Sequence, residues 1–92
     1  MSPGTTRGYR ELTSAGAESS LLGAKTRELI ALAVAVTRQC DGCIAVHAMA
    51  ATKAGATREE IAEALGVAVA VNAGAALIFS SRVIDALGAN EE

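Results

Sequence analysis

Aromatic residues and proline are almost absent from this sequence. Its 92 residues include no Trp, one Phe, one Tyr and one Pro. The apolar fraction is nevertheless 51%, and much of it is Ala, which favours helices and close helix contacts but buries little area per residue. A chain of this length fits one small domain near the margin of independent stability. We therefore expect the domain to complete its core by forming a homo-oligomer.

The sequence also lacks a basic stripe. Its eight Lys and Arg residues are scattered from Arg7 to Arg82, and the formal net charge is -2. With one Tyr and one Phe in the whole chain, there is no series of aromatic side chains interleaved with these charges, as there commonly is on surfaces that bind single-stranded nucleic acid. The composition therefore argues against nucleic acid as a partner.

No long apolar segment of the kind found in signal peptides lies near the N-terminus. Residues 1–20 predict a polar arm with a short helix around Tyr9 to Glu18, followed by a domain over residues 21–92. From this pattern we expect a cytoplasmic protein, in which a pair of nearby cysteines is more often catalytic, redox-sensing or metal-binding than a structural disulfide.

One uncharged stretch, from Ala64 to Ser81, is long enough to raise the question of a membrane span. It is rich in Ala and Gly, carries Asn72 in its middle and continues an amphipathic helix. Helices that are apolar on all sides are also buried in large assemblies. We therefore predict a helix pair buried in an oligomer, and no membrane.

Helix signals dominate the rest of the chain. Helix formers predict a long helix from about Ala24 to Arg38. Asp41 is a candidate N-cap for the next helix, and Gly55 is a plausible stop for it. This arrangement places Cys40 just before the second helix and Cys43 in its first turn.

The segment TREE, residues 57–60, predicts a capping box and the start of a third helix. We expect that helix to bend or break near Asn72 to Gly74, and a last helix to run from about Ala75 to Leu87. No convincing alternating strand pattern is present. The predicted fold class is all-α.

Both cysteines and the single histidine fall within eight residues, CDGCIAVH. On a helix, Cys43 and His47 share a face, and Cys40 lies above them if the helical path extends back. A cysteine in the first turn faces the positive end of the helix dipole, which favours the thiolate. An imidazole one turn later can take the thiol proton.

Several interpretations of this cluster compete. A thioredoxin-like motif requires a βαβ context, and haem attachment requires His directly after the second Cys, where Ile44 stands. Zinc could use Cys40, Cys43 and His47 with a fourth ligand from Glu28 or water. Inert buried cysteines beside a core histidine are a further alternative. From the residues alone we favour a redox-active dithiol that needs neither metal nor cofactor.

Glu28 is a less obvious member of the site. It falls on the same helical stripe as Ala24, Ala31 and Leu32, and a carboxylate on that stripe needs a partner, because burying an unpaired charge is costly. His47 is one available partner. The spacing alone favours the simpler alternative, in which Glu28 is partly solvated and interacts with the dipole of its own helix.

Four segments together resemble the alkylhydroperoxidase D-like, or carboxymuconolactone decarboxylase-like, family. They are KTRELIALAVAV, CDGC, His47 and the pattern A-x-x-x-G-A-T-x-E-E-I over residues 51–61, and the resemblance spans roughly residues 25–87. It implies an all-helical, oligomer-forming bundle that assembles as a trimer or hexamer. It also implies an active site made of Cys43, Cys40, His47 and Glu28, and so favours a catalytic Glu28 over a solvated one.

The activity implied by the resemblance is thiol-dependent reduction of a small hydroperoxide. Glu28 would orient His47, His47 would take the proton of Cys43, and the Cys43 thiolate would attack the O–O bond. Cys40 would resolve the sulfenic acid to a disulfide, and a dithiol reductant, of the lipoyl type for example, would restore the pair.

Two departures from the family pattern bear on this expectation. The chain is about half as long as the two-lobed alkylhydroperoxidase D proteins, and Gly42 stands where those enzymes can carry a His. The alternative is a non-enzymatic redox sensor or assembly protein switched by the same cysteines. Lactone decarboxylation is disfavoured, because the decarboxylases of the superfamily lack the cysteine pair.

Overall fold

A computed structural model describes the backbone of residues 1–91 and the side chains of residues 1–88. The described part of the chain contains five α-helices and no strand, which confirms the predicted all-α class. The helices are α1 (Pro3–Ser19), α2 (Ala24–Thr37), α3 (Asp41–Lys53), α4 (Arg58–Phe79) and α5 (Ser81–Glu91).

The N-terminal helix is longer than the short helix expected over Tyr9 to Glu18. It begins at Pro3, whose fixed φ and missing N–H suit the first helical position. The Ser2 hydroxyl accepts a hydrogen bond from the Thr5 N–H at 3.3 Å and caps the helix. None of the residues Pro3–Ser19 is buried, so α1 lies on the surface of the protomer.

The boundaries of α2 and α3 are close to the predicted ones. α2 ends at Thr37, with Arg38 as its C-cap. The prediction of Asp41 as the N-cap of α3 was wrong by one residue, because the Cys40 side chain is the capping group and Asp41 is the first helical residue. Gly55, predicted as the stop signal, follows the C-cap of α3 with φ of 95°, a conformation that glycine adopts without steric cost.

The predicted capping box of α4 is confirmed. The Thr57 hydroxyl accepts from the Glu60 N–H at 3.1 Å, and the Glu60 carboxylate accepts from the Thr57 N–H at 2.8 Å. The predicted break near Asn72 to Gly74 was wrong, since α4 continues to Phe79. Asn72 lies inside the helix, where its Nδ2 donates to the Ala68 carbonyl oxygen at 2.7 Å and to the Thr37 hydroxyl of α2 at 2.8 Å.

The break in the C-terminal half instead falls at Ser80. Its hydroxyl donates to the Ala76 carbonyl oxygen at 2.7 Å, a local bond that often bends helices. α5 begins immediately afterwards, at Ser81, so the helix predicted from about Ala75 to Leu87 was wrong at its start.

The core lies where α2 packs against α3 on one side and α4 on the other. Five side chains are buried among those described: Leu32, Ala35, Ala51, Ala56 and Ala68. A salt bridge between Lys25 and Glu60, 2.8 Å long, also joins α2 to α4. With one large side chain and four alanines, this core stabilises the protomer only modestly.

The protomer is extended for its size. Its radius of gyration is 18.0 Å, against about 12 Å for a compact domain of this length. Its accessible surface is 7293 Å², against roughly 4,900 Å² for a compact monomer of the same mass. Many of the exposed large apolar side chains lie on α4 and α5, among them Val67, Val69, Val71, Leu77, Ile78, Phe79, Val83, Ile84 and Leu87.

The stretch Arg58–Gly88 is long and apolar enough to cross a membrane by length and composition alone. Only 6% of its most apolar 18-residue window is buried in the protomer. Large contiguous apolar patches are uncommon on soluble monomers, and where they occur they commonly mark surfaces that contact protein or membrane.

Candidate active site

Cys40 follows the C-terminal end of α2, and two backbone hydrogen bonds fix its position there. The Cys40 N–H donates to the Ala35 carbonyl oxygen at 3.1 Å, and the Gln39 N–H donates to that of Val36 at 3.2 Å. This pair of bonds is a Schellman motif, with Gln39 in the left-handed region at φ of 54°. The tight closure places Cys40 directly beside the end of α2.

The Cys40 sulfur caps the N-terminus of α3. It accepts a hydrogen bond from the Cys43 N–H at 3.3 Å, in the way a Ser or Asp oxygen caps a helix. Cys40 itself is in an extended conformation and lies outside the helix, whereas Cys43 is in its first turn. Free N–H groups at a helix start stabilise negative charge, so this position suits a thiolate when the pair is reduced.

The two cysteines are joined as a disulfide. Their Cα atoms are 5.3 Å apart, within the usual range for such bonds. Both residues are partly buried. The sequence expectation that Cys40 and Cys43 are close enough to exchange between dithiol and disulfide is therefore met by the geometry.

Glu28 and His47 form a close pair across the α2–α3 interface. The Glu28 Oε2 lies 2.6 Å from the His47 Nδ1, and the two side chains are 26% and 34% exposed respectively. Glu28 thus has the His47 partner that spacing alone did not favour, while its side chain stays partly solvated. A carboxylate can only accept from the ring N–H at Nδ1, so the neutral imidazole carries its lone pair at Nε2.

His47 and the two cysteines line a common cleft of about 570 Å³. Its remaining walls are mostly apolar and come from α1, α2 and the residue that ends α2, namely Leu12, Ala31, Val34, Ala35 and Arg38. The same three site residues also line an adjoining cleft of about 320 Å³, together with Tyr9, Gly42 and Val46. Glu28 does not line either cleft and reaches the site through His47.

Eight residues that line the two clefts were not predicted as site residues, and three of them carry larger aromatic, aliphatic or charged side chains from outside the α2–α3 core: Tyr9, Leu12 and Arg38. The first two belong to the segment that we expected to be a polar arm. Their spacing of three places them on one face of a helix. The sequence alone did not indicate which other helix that face would contact. Arg38 is the C-cap of α2 and lines the larger cleft together with Cys40.

The described residues contain no group of three or more His, Cys, Asp or Glu side chains arranged to hold a metal ion. In the disulfide state the two sulfurs are bonded to each other, so they are not free as thiolate ligands. The arrangement can instead perform thiol chemistry: a pair of sulfurs that form and break one bond, a nitrogen base in the same cleft, and a carboxylate that fixes the orientation of that base.

Known proteins give an independent comparison. The sequence profile of the carboxymuconolactone decarboxylase family matches residues 3–86. An uncharacterized protein of Haemophilus influenzae is 54% identical over 84 residues, which cover 91% of this chain and 74% of that protein. An uncharacterized protein of Cupriavidus necator is 32% identical over 90 residues, covering 95% and 80% of the two chains.

A third relative, described as uncharacterized protein 4 in the cox locus of Paracoccus denitrificans, is 42% identical over 66 residues, covering 72% of this chain and 60% of that protein. The family match includes α1 and nearly all of the helical body, and it contains all four residues of the predicted site. The chain belongs to the carboxymuconolactone decarboxylase family.

Proposed function

We propose that the protein is a thiol-dependent peroxidase, or a dithiol–disulfide oxidoreductase closely related to one. The observation that carries the proposal is a cysteine pair at bonding distance that shares a cleft with His47, whose Nδ1 lies 2.6 Å from the Glu28 carboxylate. Family membership is consistent with a redox function of this kind.

The first step makes the nucleophile. In the reduced protein, His47 Nε2 takes the proton of the Cys43 thiol, and Glu28 stabilises the imidazolium that forms. The Cys43 thiolate attacks the terminal oxygen of a hydroperoxide and breaks the O–O bond. Cys43 becomes a sulfenic acid, and the departing alkoxide takes a proton from the imidazolium and leaves as an alcohol.

The second step closes the disulfide. The Cys40 sulfur, held beside Cys43 by its capping bond to the Cys43 N–H, attacks the sulfenic sulfur and releases water. A dithiol reductant, which a lipoyl group would supply, then attacks the disulfide and forms a mixed disulfide. Its second thiol displaces the protein sulfur, so the protein regains two thiols and the reductant leaves as a cyclic disulfide.

The test uses fully reduced protein and a small excess of an organic hydroperoxide, with and without dihydrolipoamide. We expect rapid loss of two thiols per chain, and peroxide consumption that continues only when the dithiol is present. Cys43→Ser should abolish consumption. Cys40→Ser should stop after one oxidation, with a sulfenic acid that dimedone labels. Full turnover by both variants would refute the mechanism.

The assembly proposed here is a homo-oligomer, a trimer or a hexamer. The protomer exposes roughly 2,400 Å² more than a compact chain of its mass would, and obligate interfaces bury surfaces of this order. The uncovered surface includes the apolar side chains of α4 and α5. Covering that surface with other copies also removes the need for a membrane, and we propose a cytoplasmic location.

A second candidate function involves the exposed apolar surface of α4 and α5. If oxidation of Cys40 and Cys43 altered the packing of copies, the protein would be a redox sensor or assembly factor without turnover. Size-exclusion chromatography of the reduced and oxidised forms separates the two proposals. A large shift in size without peroxide turnover would support the sensor, whereas turnover at constant size would support the enzyme.

A further inference from the structure

α1 meets the rest of the protomer along a narrow stripe. Tyr9, Leu12 and Gly16 are spaced three and four residues apart, so they share one face of the helix. At the end of that stripe, a Cβ on Gly16 would lie 3.1 Å from the Arg27 Cδ. At this glycine α1 therefore lies against the Arg27 side chain of α2.

The other two residues of the stripe lie at the cysteines. Leu12 is part of the wall of the larger cleft and Tyr9 of the wall of the smaller one, and each cleft contains Cys40, Cys43 and His47. Residues Pro3–Ser19 include none that is buried, so α1 adds little to the core. Its contribution to the site is an apolar wall beside the disulfide.

The volumes of the two clefts indicate the size of ligand that fits beside this wall. A water molecule occupies about 30 Å³ of the liquid, and hydrogen peroxide, with two oxygen atoms, needs a few tens of cubic ångströms. The larger cleft has about 570 Å³ and the smaller about 320 Å³. Most of the side chains around them, such as Val34 and Val46, are apolar. The space beyond the reacting oxygens suits a hydrocarbon group.

We propose that Tyr9 and Leu12 are specificity-determining residues that bind the organic group of the hydroperoxide. This inference rests on the peroxidase function proposed above and assigns α1 to the substrate site. These two side chains favour a bulky organic hydroperoxide over hydrogen peroxide, because hydrogen peroxide has no organic group for them to contact. The two residues act on binding and leave the O–O cleavage step unchanged.

The test is a single-turnover measurement on pre-reduced protein, which separates peroxide attack from regeneration by the dithiol. Second-order rate constants for thiol loss are measured with cumene hydroperoxide and with hydrogen peroxide. Tyr9→Ala and Leu12→Ala should each lower the cumene hydroperoxide constant about tenfold, the lower end of what one lost apolar contact gives. The hydrogen peroxide constant should stay within twofold of wild type.

Two further variants sharpen the result. Tyr9→Phe keeps the ring and should keep the wild-type ratio of the two constants. Glu11→Ala, on the opposite face of α1, should also leave it unchanged. Tyr9 and Leu12 are 66% and 74% exposed, so both alanine variants should retain wild-type far-ultraviolet circular dichroism and thermal midpoint.

The inference would be overturned by an unchanged ratio in both alanine variants, or by a Tyr9→Phe variant as slow as Tyr9→Ala with both peroxides, which would assign the effect to the hydroxyl. Variants slowed only in reduction of their disulfide by dihydrolipoamide would place α1 at the reductant and refute peroxide binding. A wild-type protein that consumes neither peroxide refutes the proposed function itself, a result distinct from all of these.

Discussion

The contact between Glu28 and His47 gives the sharpest prediction about the mechanism. Glu28→Gln keeps the size of the side chain and leaves an amide oxygen that can still accept from His47 Nδ1, but it removes the negative charge. A hydrogen bond to a charged group contributes about 1.5–3 kcal/mol. Because the two side chains are 26% and 34% exposed, solvent weakens the charge term, and we take a value near 1.5 kcal/mol.

That value corresponds to about a tenfold change in rate. We expect Glu28→Gln to react with an organic hydroperoxide about ten times more slowly than wild type, measured as thiol loss from reduced protein. Alkylation by iodoacetamide, which requires no peroxide, should slow to a similar extent because it also depends on the thiolate. Glu28→Ala should be slower still, since it leaves His47 Nδ1 without a carboxylate or amide partner.

The matched control is Glu63→Gln, which makes the same chemical change at an exposed position on α4. It should react at the wild-type rate with both reagents. If Glu28→Gln also reacts at the wild-type rate, the carboxylate has no role in activating the thiol, and the contact seen across α2 and α3 is structural only.

Three other predictions concern stability. Leu32→Ala should lower the free energy of unfolding by about 3 kcal/mol in chemical denaturation, since Leu32 is the large side chain in a core otherwise made of alanine. The thermal midpoint should rise with protein concentration if copies cover α4 and α5, and a midpoint independent of concentration over a hundredfold range would contradict the oligomer. The pKa of Glu60 is lowered, first by its hydrogen bond from Lys25 and then by that from the Thr57 backbone. Its ionised form therefore stabilises the fold above the ordinary carboxyl pKa, and this contribution disappears as the pH falls through the lowered value. Glu60→Gln should lower the thermal midpoint at pH 7, and its difference from wild type should shrink in acid; a constant difference would exclude Glu60 ionisation as the source.

Local signals in the sequence were reliable where a few side chains decide the structure. The capping box at Thr57 and the stop at Gly55 are set by bonds within a single turn, so the residues alone reveal them. The shared face of Cys43 and His47 follows from helical spacing. The failure at Asn72 has a different cause, because its amide bonds to the preceding turn and to Thr37 of α2, and the second contact depends on tertiary packing.

Residues brought in from distant elements were the hardest to predict. Glu28 is nineteen positions before His47, and spacing alone favoured a solvated position on its own helix, so only the packing of α2 on α3 reveals the pair. Tyr9 and Leu12 were missed for the same reason. Their helix contributes nothing to the buried core, and core periodicity therefore gave no reason to place it beside the cysteines.

The hydrogen bond from the Cys43 N–H to the Cys40 sulfur has a consequence for how this site tolerates substitution. One atom serves both as a redox partner and as the cap of α3. A serine at position 40 keeps an N-cap while removing the disulfide, whereas an alanine removes both and leaves the start of α3 without a side-chain cap. Position 40 is thus constrained twice, and a variant without the thiol chemistry still needs a short polar residue there to cap α3.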